Sequence, residues 1–185
     1  KSLNIAINEK SVKTVVLSAY PRYFSGAEMT INSGLDSGTN KKISSEKEFS
    51  EYAEQSFSKI IRALLGKGKQ VIFVKNNPSL GFDPRTCVRR PFSGEGDSNC
   101  SESRVAFDSS DKKYGEVIDS VLGKFPQVKL FELSKILCDS ENCYAMRDGK
   151  MLYRDTHHLS IDGSEYVGSF LYDLIGAGAE SSSLK

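Results

Sequence analysis

SEKEFSEYAEQSFSKIIRALLGKGKQVIFVK, residues 45–75, joins an amphipathic helix to a strand-sized apolar run, and that junction sets the fold class. Ser45-Glu46-Lys47-Glu48 opens it as a capping box, in which the serine oxygen takes the amide three residues on and the glutamate reaches back to the cap. Phe49, Ala53, Phe57, Ile60, Ile61 and Leu64 then recur on one helix face until Gly66 stops the helix. Lys69 to Lys75 follows as a strand, with Val71-Ile72-Phe73-Val74 continuous in apolar character and Asn76-Asn77-Pro78 ending it.

The same alternation extends in both directions. Upstream, Val12 to Ala19 is β-branched and nearly continuous in apolar character, which suits a strand covered on both faces. The 34 to 45 stretch, rich in Gly, Ser, Asn and Lys, reads as a mobile loop. Downstream, the chain reads as loop to about Ser110, where a second amphipathic helix begins, carrying Tyr114, Val117, Ile118, Val121 and Leu122. Pro126 closes that helix before a third strand, Val128 to Leu133. Arg147-Asp148-Gly149-Lys150 reads as a turn, Met151-Leu152-Tyr153 as a short extended piece, and the last helix presents Tyr166, Val167, Phe170, Leu171 and Leu174. Each of these apolar stripes is expected to pack into the core.

A βαβαβ series of this kind predicts an α/β fold with a doubly wound parallel sheet, right-handed crossovers, and a working edge at the carboxyl ends of the strands. Three strands are few for such a sheet, and the first of them looks central although the chain opens shortly before it, so part of the fold is expected upstream of Lys1. Residues 1–185 read as a single domain with a frayed tail from Glu180 to Lys185.

At 185 residues, 38% hydrophobic and 26% charged, with a net charge of +1, the chain has the composition of a globular domain. Its basic residues are interspersed with acids, which argues against nucleic acid as a partner. Its apolar runs are strand-sized, too short to span a bilayer.

The four cysteines fall as two local pairs, Cys87 with Cys100 and Cys138 with Cys143, one of three possible connectivities. Both enclosed stretches are polar, and closing the longer one restricts the unfolded chain by about 3 kcal/mol on the loop-entropy account. Two disulfides, and hence an oxidising compartment, are the preferred reading. Reduced thiols, or a zinc site built from all four, are the alternatives, although neither pair has the C-x2-C spacing usual in zinc sites.

Asp155-Thr156-His157-His158-Leu159-Ser160 holds the chain's two histidines and an aspartate three residues before the second of them. Such a carboxylate can accept a hydrogen bond from the Nδ1 proton of His158, which fixes the tautomer and leaves Nε2 free to take a proton from a hydroxyl, the base half of a hydrolytic triad. Asp155 could equally serve His157, and the pair of imidazoles could be a fragment of a metal site. With no third histidine and no carboxylate cluster at ligand spacing, a catalytic zinc held by three protein ligands is hard to assemble, and neither metal nor cofactor is expected.

The run Asp155-Thr156-His157-His158-Leu159-Ser160-Ile161-Asp162-Gly163-Ser164 resembles the final block of SGNH-type hydrolases, where D-x-x-H-L-S-x-x-G carries the catalytic acid and base. That resemblance assigns His158 as base and Asp155 as its acid partner, and implies a flavodoxin-like three-layer fold. Four further segments are similar to one branch, the SGNH domain fused to the acyltransferase-3 membrane proteins that O-acetylate bacterial lipopolysaccharide O-antigen. They are Val12 to Ala19, Asn77 to Cys87, the Cys138 and Cys143 pair, and Leu152-Tyr153-Arg154-Asp155. The likeness runs from about Val12 to Leu174.

Members of this family carry the nucleophilic serine in a G-D-S-H-like block at the end of the first strand, and no Gly-Asp-Ser-His occurs in this chain. Gly96-Asp97-Ser98 has the letters but lacks the preceding strand and following helix that a nucleophile elbow needs. Ser37, in Gly34-Leu35-Asp36-Ser37-Gly38, is no better placed, and Arg22 is at most a substrate-facing candidate. The serine is therefore expected upstream of Lys1. The resemblance implies a periplasmic domain of an inner-membrane protein, an O-antigen sugar as acceptor, and acetyl delivered from acetyl-CoA by a membrane acyltransferase domain of the same protein. A secreted SGNH carbohydrate esterase and a disulfide-stabilised binding module without catalysis are the alternatives.

Overall fold

The computed structural model describes residues 2–19, 29–32, 40–43, 45–88 and 100–180. Elements run α1 (Ser2–Asn8), β1 (Thr14–Ser18), β2 (Met29–Asn32), β3 (Asn40–Ile43), α2 (Glu46–Leu65) and β4 (Gln70–Lys75). A 3-10 turn at Pro84–Cys87 precedes β5 (Ser101–Ser103), α3 (Arg104–Leu122), β6 (Lys129–Glu132) and α4 (Ser134–Leu137). Then come β7 (Asn142–Tyr144), β8 (Met146–Arg147), β9 (Lys150–Met151) and α5 (Ile161–Glu180). The main sheet is parallel and three-stranded, in the order β1-β4-β6, with Thr14 opposite Gln70 and Ser18 opposite Val74.

The chain divides into two compact units, Lys1–Val74 with Asp111–Leu130, and Lys75–Ser110 with Phe131–Lys185. In the first, Ser45 caps α2 by accepting the Glu48 amide at 3.2 Å. Helix α2 then lays Ile61 and Leu64 on Val71 and Phe73 of β4, beside Tyr114, Ile118 and Val121 of α3. Phe57 meets Phe73 edge to face at 5.7 Å. Ile72, on the opposite face of β4, is equally shut off from water, as a central strand's continuous apolar run requires. Lys69, at the entry to β4, is 8% exposed and donates its ammonium to the carbonyls of Glu9 at 2.6 Å and Val12 at 2.8 Å. Lys69→Met keeps the aliphatic stem and removes both donors, so it should cost the roughly 1.5–3 kcal/mol of hydrogen bonds to a charged group, read as a lower urea midpoint.

In the second unit, the Cys87–Cys100 and Cys138–Cys143 disulfides both form, and among the described residues no cysteine is free. The first ties the 3-10 turn to the start of β5, which pairs antiparallel with β7. The second closes a loop in which Asp139 accepts the amides of Glu141 and Asn142, each at 2.8 Å, and the Tyr144 hydroxyl. The Tyr144 hydroxyl above all, with those two amides, holds the Asp139 carboxyl down to about 2.

Four expectations change. The stretch from Asn77 to Ser110 is not all loop: it holds the 3-10 turn, β5 and the first turns of α3. Residues 40–43, assigned to a mobile loop, form β3 and pair antiparallel with β2. Strand β1, expected to be central and covered on both faces, lies at the edge of the described three-stranded sheet with Val16 43% exposed, and the helix α1 sets Ala6 and Ile7 against the core. The stripe of α5 is only partly buried, with Val167 at 7% exposure and Phe170 at 44%. Residues 181–185, expected to fray, lie outside the described residues.

Candidate active site

The base loop is built on a tight hairpin. Asp148 and Gly149 both take positive φ, 51° and 75°, the twist that a two-residue turn between right-twisted strands demands. Strands β8 and β9 pair across it, Met146 opposite Met151, and the chain continues into Leu152 and Tyr153, both almost fully buried. Tyr153 bridges to Leu159, so residues 154–158 form a closed loop between two anchored positions. The Arg154 amide donates to the His158 carbonyl at 2.8 Å, and the Ser160 amide to the Leu152 carbonyl at 2.9 Å. From the segment beyond β4, Asn77 donates to the His157 carbonyl at 3.1 Å and the Leu80 amide to the Thr156 carbonyl at 2.7 Å.

Inside the loop Asp155 turns its carboxylate back on the backbone. Oδ1 accepts the amides of His157 at 3.0 Å and His158 at 2.8 Å, while His158 Nδ1 lies 2.8 Å from Oδ2 and 3.1 Å from Oδ1. The His157 amide first, then the His158 ring and amide, hold the Asp155 carboxyl well below the usual carboxylate range. An acceptor that stays ionised accepts a hydrogen bond from Nδ1–H, so the neutral imidazole keeps its proton on Nδ1 and its lone pair on Nε2. Among the described residues no group hydrogen-bonds His158 Nε2, and the side chain is 54% exposed.

Helix α5 starts where the loop ends. The Ser160 hydroxyl donates to the Met151 carbonyl and accepts the Gly163 amide at 2.9 Å, so one side chain caps the helix and pins it to β9. The Gly163 backbone lies so close to that strand that a Cβ there would be 2.0 Å from the Leu152 carbonyl oxygen. Arg147 of β8 places its guanidinium over the Tyr166 ring at 5.3 Å, a second tie between hairpin and helix.

His157, left open between partner of Asp155 and metal fragment, does not turn away from His158. The ring centroids are 4.1 Å apart, and His157 Nδ1 is 3.1 Å from the Thr156 hydroxyl and 3.6 Å from Asp155 Oδ1. Two cations also reach Asp155: Arg154 Nε lies 3.7 Å from Oδ2, and Arg85, held by Asp83, feels its charge. A shallow cavity of about 510 Å³ opens beside the loop, lined by Arg154, Leu159, Ser160, Ile161, Ser164 and Glu165. Ser98, Ser37 and Arg22 lie outside the described residues. Sequence reasoning missed the mooring by Asn77 and the close packing at Gly163; the glycine of the D-x-x-H-L-S-x-x-G run was the available signal.

The family described as the SGNH domain fused to AT3 domains matches residues 1–173. The chain belongs to that family. Among solved structures, the SGNH domain is similar to the periplasmic domain of the lipopolysaccharide acetyltransferase of Salmonella ser. Paratyphi A, at 15% identity and a TM-score of 0.51. The match covers 88% of this chain and 56% of that one, so the SGNH domain described here spans little more than half the relative's length. The likeness supports the α/β architecture with a parallel sheet. No curated protein matches the chain. Among the described residues no helix is long and apolar enough to cross a membrane.

Proposed function

We propose that this SGNH domain is the periplasmic catalytic part of an O-acetyltransferase that places acetyl groups on sugar hydroxyls of lipopolysaccharide O-antigen, with His158 as base and Asp155 as its orienting acid. The observation that carries the reading is the bond from His158 Nδ1 to an aspartate held ionised by two backbone amides. The nucleophile is a serine supplied by chain upstream of Lys1. His158 Nε2 takes the proton of that serine as its oxygen attacks the acetyl donor, and the imidazolium, stabilised by Asp155, returns the proton to the leaving group. In the second half a sugar hydroxyl gives its proton to Nε2 and attacks the acetyl ester, and the serine oxygen departs with a proton from the imidazolium. Family membership supports a membrane AT3 domain as the source of acetyl, drawn from acetyl-CoA. The cavity beside the loop, polar at Arg154, Ser164 and Glu165 and apolar at Leu159 and Ile161, suits the acceptor sugar.

The test compares the full-length protein with the 185-residue chain. Full-length protein in membranes should acetylate O-antigen, read by proton NMR of the acetyl groups on the polysaccharide. The isolated chain should give no turnover of a chromogenic acetyl ester above background, because a base without its nucleophile forms no acyl-enzyme. Robust esterase activity of the isolated chain that vanishes with Ser98→Ala would place the nucleophile inside the chain and overturn this assignment.

A further inference from the structure

The position of His157 has a use that the acyl-transfer chemistry does not. Asp155, His157 and His158 each bring one ligand atom within 4.8 Å of the other two. His158 Nδ1 is 3.1 Å and His157 Nδ1 3.6 Å from the same carboxylate oxygen, Asp155 Oδ1. Nitrogen and oxygen ligands at the usual zinc distance of roughly 2.0–2.1 Å stand about 3.3 Å apart at the corners of a tetrahedron. The two separations bracket that edge, so small rotations of the rings would seat the ion. Two imidazoles and one carboxylate are a donor set for zinc rather than for magnesium or calcium, which take oxygen. The loop backbone is already held by Asn77 and Leu80, and all three side chains are open enough to admit an ion, at 40%, 32% and 54% exposure in chain order.

We infer that Asp155, His157 and His158 form an inhibitory Zn²⁺ site built into the base loop. Binding through His158 Nδ1 displaces the Asp155 hydrogen bond and leaves the ring's one proton on Nε2, where no lone pair remains to take another. Binding through Nε2 occupies that lone pair directly. Either way the imidazole is lost as a base, while a fourth coordination position stays open to water. Arg154 opposes the ion from the Oδ2 side, but its side chain is 70% exposed and can turn to solvent. Zinc binding stands on the geometry alone, whereas inhibition rests on His158 being the base.

Calorimetric titration of tag-free chain with ZnCl₂, disulfides intact, should show one zinc per chain that excess Mg²⁺ does not displace. His157→Ala and His157→Gln should each weaken it by at least the roughly 10- to 100-fold that even outer-sphere partners are worth. Acetyl transfer by the full-length protein should fall with added Zn²⁺, and in His157→Gln the fractional loss, read against that variant's own zinc-free rate, should need at least about 10-fold more zinc. Absence of saturable 1:1 binding, or unchanged affinity in both His157 variants, would overturn the site and leave His158 untouched as base. One zinc per chain with transfer undiminished at saturation would instead overturn the inhibitory role and, with it, the assignment of His158.

Discussion

His158→Ala in the full-length protein should lower O-acetylation by about 10⁴-fold or more, because the imidazole serves as base in both halves of the reaction and its loss removes the nucleophile's activation altogether. The fold should survive. The side chain is 54% exposed, and the amide and carbonyl that shape the loop belong to the backbone, so the variant should melt with the native protein by circular dichroism. Asp155→Asn should cost about 10⁴-fold for a different reason. Its amide oxygen can still accept the two backbone amides, but an NH₂ turned toward Nδ1 favours the tautomer with the proton on Nε2. Because the folded carboxyl is held below its unfolded value, the stabilisation Asp155 supplies is present above the unfolded value and lost only as pH falls through the folded one. Throughout the range above its unfolded value that aspartate therefore stays charged and keeps its bond to Nδ1–H. An Asp155→Asn protein with near-native transfer would sink the dyad.

How far residues alone announce this architecture depends on where burial coincides with periodicity. Helix α2 and strand β4 were legible because the residues that carry their apolar pattern, Ile61 and Leu64 on one and Val71 and Phe73 on the other, are buried in one cluster, and the Ser45 cap is local chemistry. Strand β5 was not, since Ser101-Glu102-Ser103 has no apolar alternation and is a strand only because β7 and the flanking disulfides hold it there. The first turns of α3 were hidden similarly: Phe107 is buried, but Val105 is 78% exposed, and the Arg104–Asp108 ion pair at 2.9 Å is a surface contact. In α5 the period correctly reports a helix, yet periodicity says which face is apolar and not what covers it. In the base block the D-x-x-H spacing located the hydrogen bond between Asp155 and His158, because three residues is the span of one tight loop. It carried no information on His157, whose ring direction is decided by Thr156 and by loop closure through Tyr153 and Leu159.

That closure makes Gly163 the position outside the dyad where the smallest change should do the most damage. Gly163→Ala adds one methyl, and on helix propensity alone alanine is favoured over glycine by about 1 kcal/mol. Here the new Cβ would sit 2.0 Å from the Leu152 carbonyl oxygen and 2.7 Å from its carbonyl carbon, both backbone atoms that no rotamer change can move. Either the start of α5 or the Leu152–Tyr153 strand must shift by something on the order of 1 Å, and the hydrogen bond from the Ser160 amide to the Leu152 carbonyl is the first to lengthen. Overpacking of this kind costs about 1–3 kcal/mol, which outweighs the propensity gain. The larger effect should be on rate, since the strand that shifts delivers Asp155 and His158, and a displacement of about 1 Å at a catalytic group can cost about 10²-fold. Gly168→Ala is the control on the same helix: a Cβ there meets nothing within 4 Å, so it should raise stability by about 0.5–1 kcal/mol and leave transfer unchanged. If Gly163→Ala matched Gly168→Ala in urea midpoint and in transfer rate, the close approach of α5 to the base strand would not be what holds the dyad in place.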